Sequence, residues 1–206
     1  MLHTRCVDST TLELLRRLTH LPFLQDFYLV GGTALALYFG HRKSIDLDLF
    51  TNNDTDWDAL NDEILTLGAW QSFHRRKRIY QGYLEGVKVD FVHYPYLPLN
   101  PINHIEGFRL ISIEDIAAMK LSAVTGRGTK KDFFDIHLLL QTFSLAEMVS
   151  FFEKKFPEIG TFHVLRSLTW FEDAEKDQDP DLFEEVSWYE VKAVVKTAVN
   201  DYLKAL

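Results

Sequence analysis

Leu29-Val30-Gly31-Gly32-Thr33 and, after a short apolar stretch, Ser44-Ile45-Asp46-Leu47-Asp48-Leu49 form the most informative segment of the chain. Phe27 to Val30 reads as a short buried strand. Two glycines follow at the mouth of a short helix expected over Ala34–Phe39, with Gly40 as its stop. Glycine lets backbone approach a ligand, and a helix N-terminus offers unpaired N–H groups and partial positive charge, so this arrangement can cradle phosphate. Ile45 to Phe50 then alternates as a second strand. Asp46 and Asp48 fall on one of its faces, roughly 6.5–7 Å apart along the strand, while Ile45, Leu47 and Leu49 are expected to face the core. Adjacent carboxylates repel, and a divalent cation such as Mg²⁺ relieves that repulsion. Asp90, alone inside the apolar strand Val87–Val92, is the candidate third carboxylate. Taken singly, a Gly-Gly pair reads as a turn and an Asp-x-Asp pair as a solvated strand face. The order strand, Gly-Gly, helix, Asp-x-Asp strand and later strand aspartate is what points to metal and phosphate.

Outward from this segment, Thr10-x-x-Glu13 reads as a capping box opening a helix that stops before Pro22. Trp57, Leu60, Ile64 and Leu67 mark another helix, closed by Gly68. Three strands are expected at Ala69–His74, Arg78–Leu84 and Val87–His93, the last two joined by a tight Glu85-Gly86 turn. Residues 94–105 carry Pro95, Pro98 and Pro101 and read as loop, with one more short strand at Phe108–Ile111. Helical signals dominate thereafter. Ile113–Thr125 is broken by Gly126-Arg127-Gly128, and Thr129-x-x-Asp132, Ser144-x-x-Glu147 and Ser187-x-x-Glu190 each open a further helix. The expected fold is therefore α+β: a small mixed sheet with flanking helices over residues 1–110, and a helical region over 111–206 packed on that core.

Composition sets the outer bounds. With 206 residues, 47% of them hydrophobic, the chain can bury a real core, roughly 70% of its unfolded surface. The 22 Lys and Arg against 30 Asp and Glu leave a net charge of −8, which argues against coating nucleic acid by bulk charge. A single cysteine, Cys6, excludes an internal disulfide and a cysteine-based zinc site, and points to a reducing, cytoplasmic setting. No signal-peptide pattern and no membrane-length apolar run are read. The eight histidines have no metal-ligand spacing. His74-Arg75-Arg76-Lys77-Arg78 is the one basic run; it reads as a solvated turn, or as an anion-binding arm. Trp57, Trp70, Trp170 and Trp188 are expected in the core.

The Gly-Gly segment, with 13 residues between Gly32 and Asp46, resembles the signature of the DNA polymerase β nucleotidyltransferase superfamily. More narrowly, Gly31–Leu37 with Gly40–Phe50 is similar to the AbiEii/AbiGii toxin-type nucleotidyltransferases. The likeness continues at Asp90, at Asp115–Leu121 and at Lys131–Ile136, so that it spans about residues 27 to 140. It implies nucleotidyl transfer from an NTP with Mg²⁺, two ions, or Mn²⁺ in their place. It also implies an acceptor such as a tRNA or a protein side chain, a cognate antitoxin partner, and no membrane. Gly31, Gly32, Thr33, Arg42, Ser44 and Lys120 would serve the nucleotide. Asp46, Asp48 and Asp90 would hold metal, converging near the glycines. Catalysis would rest on those acids with Lys120 and Asp132, the latter two facing the same cleft, and Asp135 is a further candidate. On residues alone, Lys120 also reads as a snorkelling surface lysine, Asp132 as a capping-box acid and Asp135 as a partner of Lys131. Arg42 could hold a carboxylate or touch phosphate. A small-molecule, antibiotic-modifying nucleotidyltransferase and a non-catalytic NTP-binding module stand as the competing functional readings.

Overall fold

The computed structural model describes residues 1–126 and 128–206. Its backbone divides into two compact units, residues 1–97 with 101–111, and residues 98–100 with 112–206.

The first unit runs α1 (Ser9–His20), β1 (Tyr28–Leu29), α2 (Gly31–Phe39), β2 (Leu47–Thr51), α3 (Trp57–Leu67), β3 (Trp70–Arg76), β4 (Ile79–Leu84), β5 (Val87–His93), β6 (Asn103–Ile105) and β7 (Phe108–Leu110). One seven-stranded sheet takes the order β3-β4-β5-β2-β1-β7-β6. It is mixed: β2–β5 and β1–β7 are parallel, and every other neighbouring pair is antiparallel. Leu29, Leu47, Val89, Phe91 and Leu110 are fully buried, which explains why the central strands read as apolar runs. Phe27 and Phe91 meet edge to face at 5.9 Å between ring centroids.

Several expectations shift by a few residues, for local reasons. Asp8 rather than Thr10 caps α1, its carboxylate accepting from Thr11 N at 3.0 Å, so Thr10-x-x-Glu13 lies inside the helix. Helix α2 starts at Gly31, three residues before Ala34, and takes both glycines into its first turn. Strand β2 starts at Leu47, not Ile45. Ile45 is 63% exposed and does not face the core. The expected loop over 94–105 ends early in strand β6, which pairs with β7 across a Glu106-Gly107 turn at φ 52° and 85°. The Glu85-Gly86 turn has the same geometry, φ 52° and 84°.

The second unit contains α4 (Ile113–Gly126), α5 (Lys130–Leu139), α6 (Leu145–Lys155), α7 (Thr161–Leu168) and α8 (Trp188–Lys204). Complete capping boxes open α5 at Thr129/Asp132 and α6 at Ser144/Glu147, and Ser187 caps α8 through Glu190 N. The break expected at Gly126-Arg127-Gly128 falls partly on Arg127, outside the described residues; Gly128 has φ +47°. Ile116, Leu121, Phe133, Ile136, Met148, Phe152, Val164 and Val191 form the core of this unit. Trp188 stacks on Phe134 and Trp57 is buried, but Trp170 is 53% exposed, which corrects its placement in a core.

Candidate functional site

The β1–α2–β2 segment positions its own polar groups closely. Gly31 holds φ +70°, and a Cβ placed there would lie 2.5 Å from Asp48 Oδ2. Only glycine lets the first turn of α2 meet that carboxylate. A Cβ at Gly32 would run into the guanidinium of Arg42. Arg42 is buried, and its Nη1 donates to Lys43 O at 3.0 Å. Val30 supplies no side-chain cap to α2. A buried cation and the positive end of a helix both favour an anion here, and the Asp48 carboxylate lies against them. Thr33, almost fully buried, donates to Ser44 Oγ at 2.8 Å and also bonds Asp46 O, tying the approach to β2 onto the helix.

Parallel pairing then brings Asp48 and Asp90 side by side. Asp48 is the direct partner of Asp90 in the β2–β5 register, so their side chains leave the same face of adjacent strands. Neighbouring strands are about 4.8 Å apart. Asp46 immediately precedes β2, one residue beyond the register pair Leu47↔Val89. Asp90 is 9% exposed; its Oδ2 accepts from Gln81 Nε2 at 2.6 Å and from Lys88 Nζ at 3.0 Å. Its Oδ1 is buried and has no hydrogen-bond partner. Burial by itself would push Lys88 down, but the bond to Asp90 and the charges of Asp90, Asp48 and Asp46 outweigh it and hold the ammonium above its ordinary pKa.

Lys88 and Gln81 were not singled out from the sequence, although a signal was there. Lys88 lies two residues before Asp90 and therefore on the same strand face. The Glu85-Gly86 turn fixes the hairpin register, which sets Gln81 opposite Asp90.

Among the described residues, no three His, Cys, Asp or Glu side chains form a ready-made group that could hold a metal ion. The donors nonetheless suit a hard divalent cation. Asp48 and Asp90 are carboxylates in register, and Asp90 keeps one buried oxygen without a partner.

Other candidates have different partners. In the helical unit, Lys120 Nζ lies 2.9 Å from Asp132 Oδ1 and 2.6 Å from Asp135 Oδ2, and all three side chains are almost completely buried. Lys120 is thus not a snorkelling surface lysine. Asp132 does serve as the capping-box acid, and Asp135 pairs with Lys120. Asp115 is fully buried, receives Leu99 N at 2.9 Å, and pairs with Lys155 at 2.6 Å. The basic run lies at the β3–β4 turn, where Arg75 reaches Asp58 at 2.8 Å and covers the Tyr80 ring at 5.3 Å. Arg76, Lys77 and Arg78 are exposed. Cys6 is buried, and burial pushes its thiol pKa up, the opposite of an activated nucleophile.

Comparison with known proteins adds to this geometry. Residues 13–192 match the family described as nucleotidyl transferase AbiEii toxin, type IV TA system. An uncharacterized protein of Aquifex aeolicus is 35% identical over 198 residues, covering 93% of this chain and 95% of that protein. Two solved structures share the fold at low identity. MenT4, a nucleotidyltransferase toxin of Mycobacterium tuberculosis, aligns with TM-score 0.57 and 15% identity over 97% of this chain and 88% of its own. JHP933 of Helicobacter pylori aligns with TM-score 0.53 and 17% identity over 97% and 96%. No helix among the described residues is long and apolar enough to cross a membrane.

Proposed function

Because the chain belongs to the AbiEii nucleotidyltransferase toxin family, we propose that it moves a nucleoside monophosphate from an NTP to an acceptor hydroxyl, releasing pyrophosphate, in a reaction that depends on a divalent metal. The observation that carries this reading is the double placement of Asp48, against the Gly31 end of α2 and in register with Asp90. That arrangement puts an anion cradle next to paired carboxylates, the two halves of a phosphoryl-transfer site.

The roles follow from chemistry. The first turn of α2 at Gly31-Gly32, with Arg42 and Ser44 beside it, receives the triphosphate. Thr33 holds the Ser44–Asp46 segment against the helix. Asp46, Asp48 and Asp90 would hold Mg²⁺, or Mn²⁺ in its place. Bound there, the metal neutralises phosphate charge and makes the acceptor hydroxyl easier to deprotonate. Asp90 Oδ2 is taken by Gln81 and Lys88, whereas Oδ1 has no hydrogen-bond partner and is the oxygen available to a metal ion or a departing proton. No covalent enzyme intermediate is needed; positioning and charge neutralisation supply the catalysis. The phosphate-neutralising role that the family pattern implies belongs to the Lys120 ammonium, with Asp132 as its carboxylate partner at 2.9 Å. The acceptor class we assign is an RNA end or a protein side chain, and the partner class a cognate antitoxin.

The test is incubation with each labelled NTP, Mg²⁺ or Mn²⁺, and separate pools of tRNA, protein and small acceptors. Label appearing on one pool with wild type and not with Asp48→Ala supports the reading. Absence of label from every pool with all NTPs, using folded protein, sinks it.

A further inference from the structure

We propose that Lys88 is a built-in counter-ion of the Asp46, Asp48 and Asp90 carboxylates, competing with a divalent cation for Asp90 Oδ2 and so lowering the metal affinity of the nucleotide-free protein. The inference rests on the metal-site reading above and deepens it.

Three observations carry it. Lys88 Nζ lies 3.0 Å from Asp90 Oδ2, a direct ion pair. Lys88 and Asp90 share one face of β5, and Asp90 is in register with Asp48 on β2. Asp46 directly precedes Leu47, which pairs with Val89, the neighbour of Lys88. The ammonium thus stands on the carboxylate face of the two central strands. The Lys88 side chain is 31% exposed, whereas that of Asp90 is 12% exposed. A four-carbon stem with an open outer end can leave the acid when a stronger cation arrives, and Gln81 then keeps its own hold on Oδ2 at 2.6 Å.

Electrostatics sets the direction. A positive charge within hydrogen-bond distance of a ligand carboxylate opposes a second cation there, and partial burial limits screening by salt. Removing the charge should therefore tighten metal binding. A purely structural lysine would do the opposite, since its loss would disorder the ligands.

The experiment titrates the nucleotide-free full chain with Mn²⁺ alone, read by electron paramagnetic resonance. Lys88→Gln keeps a hydrogen-bond donor for Asp90 and loses the charge, and should bind Mn²⁺ about 10- to 100-fold more tightly than wild type. Lys88→Arg keeps the charge and should match wild type. Circular dichroism and a thermal melt establish folding, and Lys88→Met is the substitute if Lys88→Gln does not fold. Equal or weaker Mn²⁺ binding by a folded, uncharged variant overturns the proposal. Asp48→Asn and Asp90→Asn separate the two readings. If they abolish Mn²⁺ binding while Lys88→Gln leaves it unchanged, the counter-ion proposal falls and the metal site stands. If wild type and every variant bind no Mn²⁺, both fall.

Discussion

Gly31 and Asp48 are in such close approach that a Cβ on Gly31 would sit 2.5 Å from Asp48 Oδ2. The glycine also holds φ +70°, a conformation that costs other residues about 1–2 kcal/mol. Gly31→Ala should therefore lower stability by about 1–2 kcal/mol and displace the Asp48 carboxylate. Nucleotidyl transfer should fall by far more than a loss of folded protein explains. Urea denaturation gives the first quantity and the labelled-NTP assay the second. A variant with wild-type turnover would remove the cradle from the site.

Asp48 itself should behave in the opposite way. It lies half-buried in register with Asp90, so replacing it relieves repulsion between neighbouring carboxylates, which offsets the lost attraction to Lys88. Asp48→Asn should stay within about 1 kcal/mol of wild-type stability, or exceed it, while transfer drops at least about 10²–10³-fold. Thermal melts and single-turnover assays check the pair of expectations. A strongly destabilised variant would make Asp48 structural.

The sequence made the β1–α2–β2 segment legible because its signals are local: an apolar run, two glycines, and aspartates two apart. It misplaced the edges for equally local reasons. The glycines enter α2 rather than precede it, and Ile45, apolar but exposed, lengthened the expected strand. Lys88 went unread because an apolar strand with one acid drew attention to Asp90 alone. Long-range ion pairs had no local signal at all. Lys155 lies 40 residues from Asp115, and nothing in either segment names the other.

That Asp115–Lys155 pair yields a stability prediction. Both side chains are wholly buried, 2.6 Å apart, and Asp115 also accepts from Leu99 N and from the Ser112 hydroxyl. Lys155→Met strands a buried carboxylate and should cost about 3–5 kcal/mol. Adding Asp115→Asn should return part of that loss, because the stranded charge is gone. Urea denaturation of wild type, both single variants and the double variant measures the coupling. Strict additivity would refute the pairing.

Asp132 gives the pH dependence. Burial by itself would raise its pKa, and the charge of Asp135 adds to that. The nearby Lys120 ammonium, the Thr129 hydroxyl and the hydrogen bond from Lys120 outweigh both, so the carboxyl sits below its ordinary value in the folded protein. A carboxyl depressed on folding contributes stability in full above its unfolded pKa, about 3.9, and loses it as pH falls through the folded value. At pH 7 wild type should therefore be more stable than Asp132→Asn, which keeps a cap but leaves Lys120 paired with Asp135. The gap should persist down to about pH 5 and then narrow below about pH 4, as protonation makes wild type resemble the variant. Urea denaturation from pH 7 to pH 3 reads it directly. A gap that widened on acidification would mean that the folded protein holds Asp132 above its ordinary pKa, and that the Lys120 pair does not overcome the cost of burial.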